Sequence, residues 1–373
     1  VTTYSASINA TKSSSYTKIL DEIITTHRLT DYAQQRFADA DSVRVAIATQ
    51  SGVSLCDYSD LLTPGQTSAP SRRVTNFADV GAIYAITAIP CNPCPRYAYV
   101  TGRGRMIIAD ALGNEQKSLN ISSASVWHVT CARLRNHWFL FVCSGDSLYV
   151  FDTAGELLCA IDMPGPMLSI DAAEIDGRVW LAGGANAGNG DVYVWDVDAM
   201  IRARDATPCR VLRGGKKPAF ATCLYENAGA PWVAHGSWDG CVYLYARNNS
   251  AGSNPSPATL TLRAPAPVYP ITTVNQDGRR WLLAGCEDGS ISVWDMTMLR
   301  HGKYPDIRIA NLRSRVKCMR YAEVGNRPIL FAGCEGGGLY VFDLSALAQP
   351  TLLATIVPGN DEVCGVALLG MEP

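Results

Sequence analysis

The chain has almost no charge imbalance: 32 Lys and Arg against 34 Asp and Glu leave a formal net charge of −2 over 373 residues. No global field therefore draws it to nucleic acid or to an anionic membrane, and any such binding would have to be local. Long apolar runs are missing as well, since no stretch approaches the ~18–20 residues of a membrane-spanning helix. The opening residues are polar and unlike a secretory leader. Because residue 1 is Val rather than Met, removal of an upstream targeting segment stays open. Histidine is scarce: His27, His128, His137, His235 and His301 fall in separate stretches and make no metal or catalytic cluster in sequence. There is no nucleophile elbow, no glycine-rich phosphate loop and no carboxylate repeated at a fixed position, so common catalytic arrangements find no foothold.

Cysteine is present but unordered. The 13 cysteines are odd in number and irregular in spacing, and many sit in apolar runs. That pattern describes buried, reduced thiols in a reducing compartment rather than a disulfide framework. Cys91-Asn92-Pro93-Cys94 has the spacing of a zinc-ligand pair, yet no second pair completes four ligands, and the stretch reads as a turn. No metal and no cofactor are expected. An intracellular, cytoplasmic location follows from the thiols, with an organelle still open. Hydrophobic residues at 47% and charged residues at 18% suit a globular chain with an ample core.

What the sequence does contain is a repeat. Seven apolar strands end on a residue followed by a turn, at Asp57, Asp110, Asp152, Asp196, Ala246, Asp295 and Asp343. The steps run from 42 (110 to 152) to 53 (57 to 110), the spacing of propeller blades. Each unit holds two strands before this one and another after it. Innermost strands are expected at 82–89, 125–133, 167–174, 219–226, 268–275, 316–323 and 363–369. Second strands are expected at 43–49, 96–101, 138–143, 179–182, 231–234, 281–285 and 329–333. More alternating outer strands lie near 73–77, 116–121, 157–161, 209–212, 259–263, 306–310 and 351–356. The first unit has no innermost strand ahead of it, and the last innermost strand has nothing after it. The strand at 363–369 is therefore expected to complete the blade begun at 43–49. The expected fold is all-β, a seven-bladed propeller over residues 41–373, preceded by a short extension over 1–40.

Second and third strands meet at Gly102-Arg103-Gly104, Trp238-Asp239-Gly240, Glu287-Asp288-Gly289 and Glu335-Gly336-Gly337, whose glycines supply the positive φ of tight hairpins. Two of these units, Gly236-Ser237-Trp238-Asp239-Gly240-Cys241-Val242-Tyr243-Leu244-Tyr245 and the run from Ala284 to Val293-Trp294-Asp295, resemble WD-repeat motifs. The resemblance covers residues 43–369. It implies a ring of blades around a central channel and a role in holding other proteins together. The sequence departs from the family where a Gly-His pair should precede each innermost strand. Arg213-Gly214-Gly215, Ala264-Pro265-Ala266-Pro267 and Arg313-Ser314-Arg315 stand there instead. Cys143, Cys286 and Cys334 replace the hydroxyl that Ser237 keeps, so the family's buried His–Asp–Ser–Trp relay is incomplete and blade cohesion must rest on apolar packing.

Three segments carry the functional expectations. Over 16–38, Ile19, Leu20, Ile23, Ile24, Leu29, Tyr32, Ala33 and Phe37 recur at three- and four-residue steps, which predicts one or two amphipathic helices. Ile23 and Ile24 would dock on the propeller flank or on another subunit. Arg213, Lys216 and Lys217 precede one innermost strand, and Arg313, Arg315 and Lys317 precede another, so blade repetition should place both loops on one rim. Acidic or phosphorylated protein segments would suit such a rim. Residues 248–257, rich in Asn, Ser, Pro and Gly, are expected to form a loop. The functional reading is a non-enzymatic protein-interaction scaffold, a subunit of an intracellular multiprotein assembly. The alternative is a propeller enzyme, lactonase-like or lyase-like, with its site in the channel mouth. The starts of the innermost strands expected to face that channel, Ala82, Ser125, Met167, Ala219, Val268, Arg315 and Glu362, are mostly small or apolar and argue against it.

Overall fold

The fold was obtained as a computed structural model. It describes residues 35–37, 42–62, 72–73, 81–90, 94–134, 137–186, 190–203, 207–215, 217–246, 252–358 and 361–370. Seven sheets, each built on four antiparallel strands, form a seven-bladed propeller. The innermost strands run over Ile83–Ile89, Val126–Leu134, Met167–Ile175, Ala219–Asn227, Val268–Gln276, Val316–Val324 and Val363–Leu369. Each sits within two residues of its expected position. We number the blades so that Arg44–Thr49 lies in blade 1 and Ile83–Ile89 begins blade 2.

The ring closes as expected. Val363–Leu369 pairs antiparallel with Arg44–Thr49, Arg44 facing Leu369 and Ala46 facing Ala367, so the two ends of the propeller share one sheet. Strand alternation explains why closure matters, because successive side chains leave opposite faces of the sheet. Val45 and Ile47 enter the cluster shared with blade 7, while Ala46 and Ala48 enter the one shared with blade 2. The other five buried clusters likewise each lie between two neighbouring blades. The residue before each repeat-ending position, from Cys56 through Trp195, Tyr245 and Trp294 to Phe342, is at most 5% exposed. Cohesion thus does rest on apolar packing.

The hairpin glycines behave as their turns require. Gly104, Gly240, Gly289 and Gly337 all have positive φ, from +74° to +83°. At Gly289 an added Cβ would lie 2.1 Å from the Leu312 carbonyl oxygen, and the Leu312 amide donates back to Gly289 at 2.8 Å. The turn is fastened to the loop entering the next blade, and only glycine permits that approach.

Two expectations are corrected. Gln35–Phe37 is a strand, not part of a helix, and runs parallel to the end of blade 7's innermost strand, with Phe37 beside Val324. Phe37 is nearly buried and sits so close to Gly370 that a Cβ there would meet its ring at 2.4 Å. The aromatic joins the buried cluster between blades 7 and 1. The rest of the expected helical segment, including Ile23 and Ile24, lies outside the described residues. The second correction concerns the Asn/Ser/Pro-rich stretch: Gly252–Pro257 is a strand paired in parallel with Arg210–Arg213, the outer strand of blade 4. Blade 6 does the same for blade 5, where the Gly302 amide donates to Thr261 at 2.7 Å and the Arg263 amide to Lys303 at 3.0 Å. Composition disfavours Gly252–Pro257 as a strand, but four-residue outer strands leave a bare edge that the following blade's chain covers through main-chain bonds.

Closure gives a measurable outcome. Leu368 is 1% exposed in the cluster between blades 7 and 1. Leu368→Ala should lower unfolding free energy by about 2–5 kcal/mol in a denaturant titration. Truncation before Val363 should abolish the single cooperative transition altogether.

Candidate functional site at the channel mouth

A single irregularity recurs in every blade. The pairing of innermost with second strand slips just after the first residue of the innermost strand, as between Ile83 and Ala85, Met167 and Ser169, Ala219 and Ala221, and Val316 and Cys318. The same slip follows Val126, Val268 and Val363. A bulge of this kind breaks the alternation and re-aims the extra side chain. The first residues Met167, Ala219 and Val268, expected to face the channel, are instead fully buried between blades. The residue after each is released, giving Tyr84, Trp127, Leu168, Phe220, Tyr269, Lys317 and Cys364 in order around the mouth.

These released side chains meet across blade boundaries. Tyr84 and Trp127 stack with centroids 4.9 Å apart and planes at 13°. Phe220 lies 5.3 Å from Tyr269 and 5.2 Å from Trp238, whose indole N–H donates to the Tyr269 hydroxyl. Trp127 and Trp238 remain 38% and 42% exposed. Two aromatic clusters thus flank the mouth. Sequence reasoning missed them, yet a signal existed: an aromatic or long side chain directly after the buried first residue, where alternation calls for a neutral position.

The predicted cations among the described residues, Arg213, Lys217, Arg313, Arg315 and Lys317, do not form a basic patch. Arg315 donates to Glu287 and, at 3.4 Å, to Glu335, and its guanidinium lies 4.7 Å over the Tyr269 ring. Lys317 stands 3.6 Å from Glu362 and 5.9 Å from the same ring. Arg213 turns the other way, toward Asp191 at 3.7 Å. Lys217 and Arg313 are exposed. Lys216 lies outside the described residues. The four acidic partners, Asp191, Glu287, Glu335 and Glu362, come from four different connections, which is why counting cations along the chain overstated the charge.

Below the mouth, Asp171 of blade 4 accepts from the Leu224 amide of blade 5 at 2.7 Å and from Ala172 at 3.0 Å. Desolvation nonetheless pushes its carboxyl up to about 6. Burial also pushes the thiols of Cys143, Cys318 and Cys334 up to about 12, so they carry no thiolate at neutral pH. Among the described residues, no three His, Cys, Asp or Glu side chains stand close enough to share a metal. The geometry can offer aromatic surface and local ion pairs.

Residues 260–295, the span from blade 5's outer strand to blade 6's third strand, match the family described as WD domain, G-beta repeat. Together with the seven-bladed ring, that one-repeat match supports a WD-repeat β-propeller. No curated protein matches it. WD-repeat propellers typically hold other proteins together and are generally non-enzymatic. No helix among the described residues is long and apolar enough to cross a membrane.

Blade 5 buries a histidine of its own on its second strand. This residue, His235, is fully buried and packs under Gly214, where a Cβ would come within 2.2 Å of its ring. It stacks on Tyr243 at 5.3 Å and 22°. Among the described residues neither ring nitrogen has a hydrogen-bond partner, and burial holds its pKa down to about 4. The unfolded chain takes up that proton near pH 6.5. The native advantage is therefore complete above about pH 6.5 and is lost as pH falls toward 4, up to about 3 kcal/mol. His235→Leu should flatten this loss, and urea unfolding at pH 5 and pH 7.5 should show the variant gaining on the parent at the lower pH.

Proposed function

We propose that this propeller is a protein-interaction scaffold whose channel mouth docks a segment of a partner, within an intracellular multiprotein assembly. The observation that carries the reading is the pair of aromatic clusters made by the released residues together with Trp238, with Trp127 and Trp238 left half-exposed. Large rigid rings bury much area at little entropic cost, and binding energy concentrates on such anchors. A rigid ring can present them without refolding, since each blade is braced by two neighbours. The buried, high-pKa thiols support a reducing compartment.

Trp127→Ala combined with Trp238→Ala should remove partners recovered by affinity isolation and quantitative mass spectrometry. A loss of about 2 kcal/mol or more is expected per anchor, with the thermal unfolding midpoint little changed. An unchanged partner set would remove the mouth from consideration. Arg213, Lys217 and Arg313, together with Lys216, Arg315 and Lys317, are proposed to steer partners with acidic or phosphorylated segments. Arg213→Glu with Arg313→Glu should then slow association and weaken its salt dependence. Ile23 and Ile24 are proposed as a second contact, either on the flank or on another subunit. Ile23→Asp with Ile24→Asp should cost a few kcal/mol of stability in the first case, or abolish complex isolation with stability intact in the second.

A further inference from the structure

Between blades 5 and 6 a groove of about 480 Å³ runs outward from the mouth. That size falls within the ~300–1,000 Å³ range of ligand clefts. Trp238 marks its inner end, and Tyr304, 65% exposed, lies at the other. Its lining includes the loop Ala264-Pro265-Ala266-Pro267 and the turn from Asp239 to Cys241, which are joined to each other by the Ala264 amide.

The groove's backbone disfavours one mode of binding. Added strands need free N–H groups, but Pro265 and Pro267 have none, and the Ala264 and Gly240 amides already donate to Gly240 and Ser237 at 2.9 and 3.2 Å. The Cys241 amide donates to the Asp239 carboxylate at 3.1 Å, and the amides of Arg263 and Gly302 close the flank pairing described above. Strand addition is thus poorly served here, and an occupant held by side chains fits better. A polyproline II segment meets that condition, because it has no internal hydrogen bonds to replace, is extended before binding, and seats its rings on aromatic faces.

Charge narrows the choice further. The Asp239 carboxylate is taken by the Tyr243 hydroxyl at 2.7 Å and by Cys241. Arg263 is exposed, and no ion pair to it is present among the described residues. We propose that this groove binds an extended, proline-rich segment of a partner protein with an acidic residue beside its prolines. The inference rests on the reading of the propeller as a protein-binding platform, and adds a contact on its flank that does not depend on Trp127.

The test uses the full chain and a fluorescently labelled synthetic peptide, two glutamates followed by alternating alanine and proline, with anisotropy as the readout. Saturable binding is expected. It should weaken about tenfold when alanine replaces each proline, and by a similar factor in Tyr304→Ala, whose side chain is too exposed to matter for folding. Arg263→Glu should reverse the preference toward a peptide with lysines in place of the glutamates, a change that misfolding cannot imitate. Trp127→Ala, at the far side of the mouth, should leave peptide binding unchanged even if it removes other partners. No saturation up to millimolar peptide, equal binding of the proline-free peptide, or loss of binding in Trp127→Ala would each overturn the proposal. The first two would leave the reading of the mouth standing.

Discussion

The structure depends on burial of both faces of every sheet against a neighbouring sheet. A blade whose second strand sends Val45 and Ile47 one way and Ala46 and Ala48 the other has no solvent face, and so has no stable existence alone. Seven such blades leave two unmatched faces unless the ring closes. The pairing of Val363–Leu369 with Arg44–Thr49 is therefore the bond on which the other six interfaces rely. The WD-repeat relay that would reinforce each blade is incomplete here, which places still more of the load on these apolar seams.

The mouth follows from the same constraint. The first residue of each innermost strand is drawn into a seam between blades, and the bulge after it releases the next side chain from the alternation. A packing requirement repeated seven times becomes a ring of released residues, so the surface at the mouth comes at no cost to the core. The rim ion pairs have a related origin. Arg315 is caught between Glu287 and Glu335 because hairpin turns from consecutive blades converge around the channel.

Edges are handled by the chain itself. Outer strands of blades 4 and 5 are covered by segments of the following blade, Gly252–Pro257 and the stretch around Gly302, through main-chain bonds that place little demand on side-chain type. The same covering segment of blade 6 carries Tyr304 to the groove beside Ala264-Pro265-Ala266-Pro267. Edge protection and the flank groove are in this sense one structural feature.

The sequence by itself determined the number of blades, the positions of the strands and the closing pair. Period-two alternation, hairpin glycines and the spacing of strand ends are local signals, and seven repetitions reinforce one another. Only the tertiary structure decided what the rim presents. Whether Arg315 is a free cation depends on Glu287 and Glu335, 28 and 20 residues away. Whether Trp127 is core or surface depends on a bulge visible only once its partner strand is in register. The roles of Phe37 and of residues 252–257 were likewise hidden, because helical spacing and poor strand composition are local preferences, and pairing with an open sheet edge overrides them.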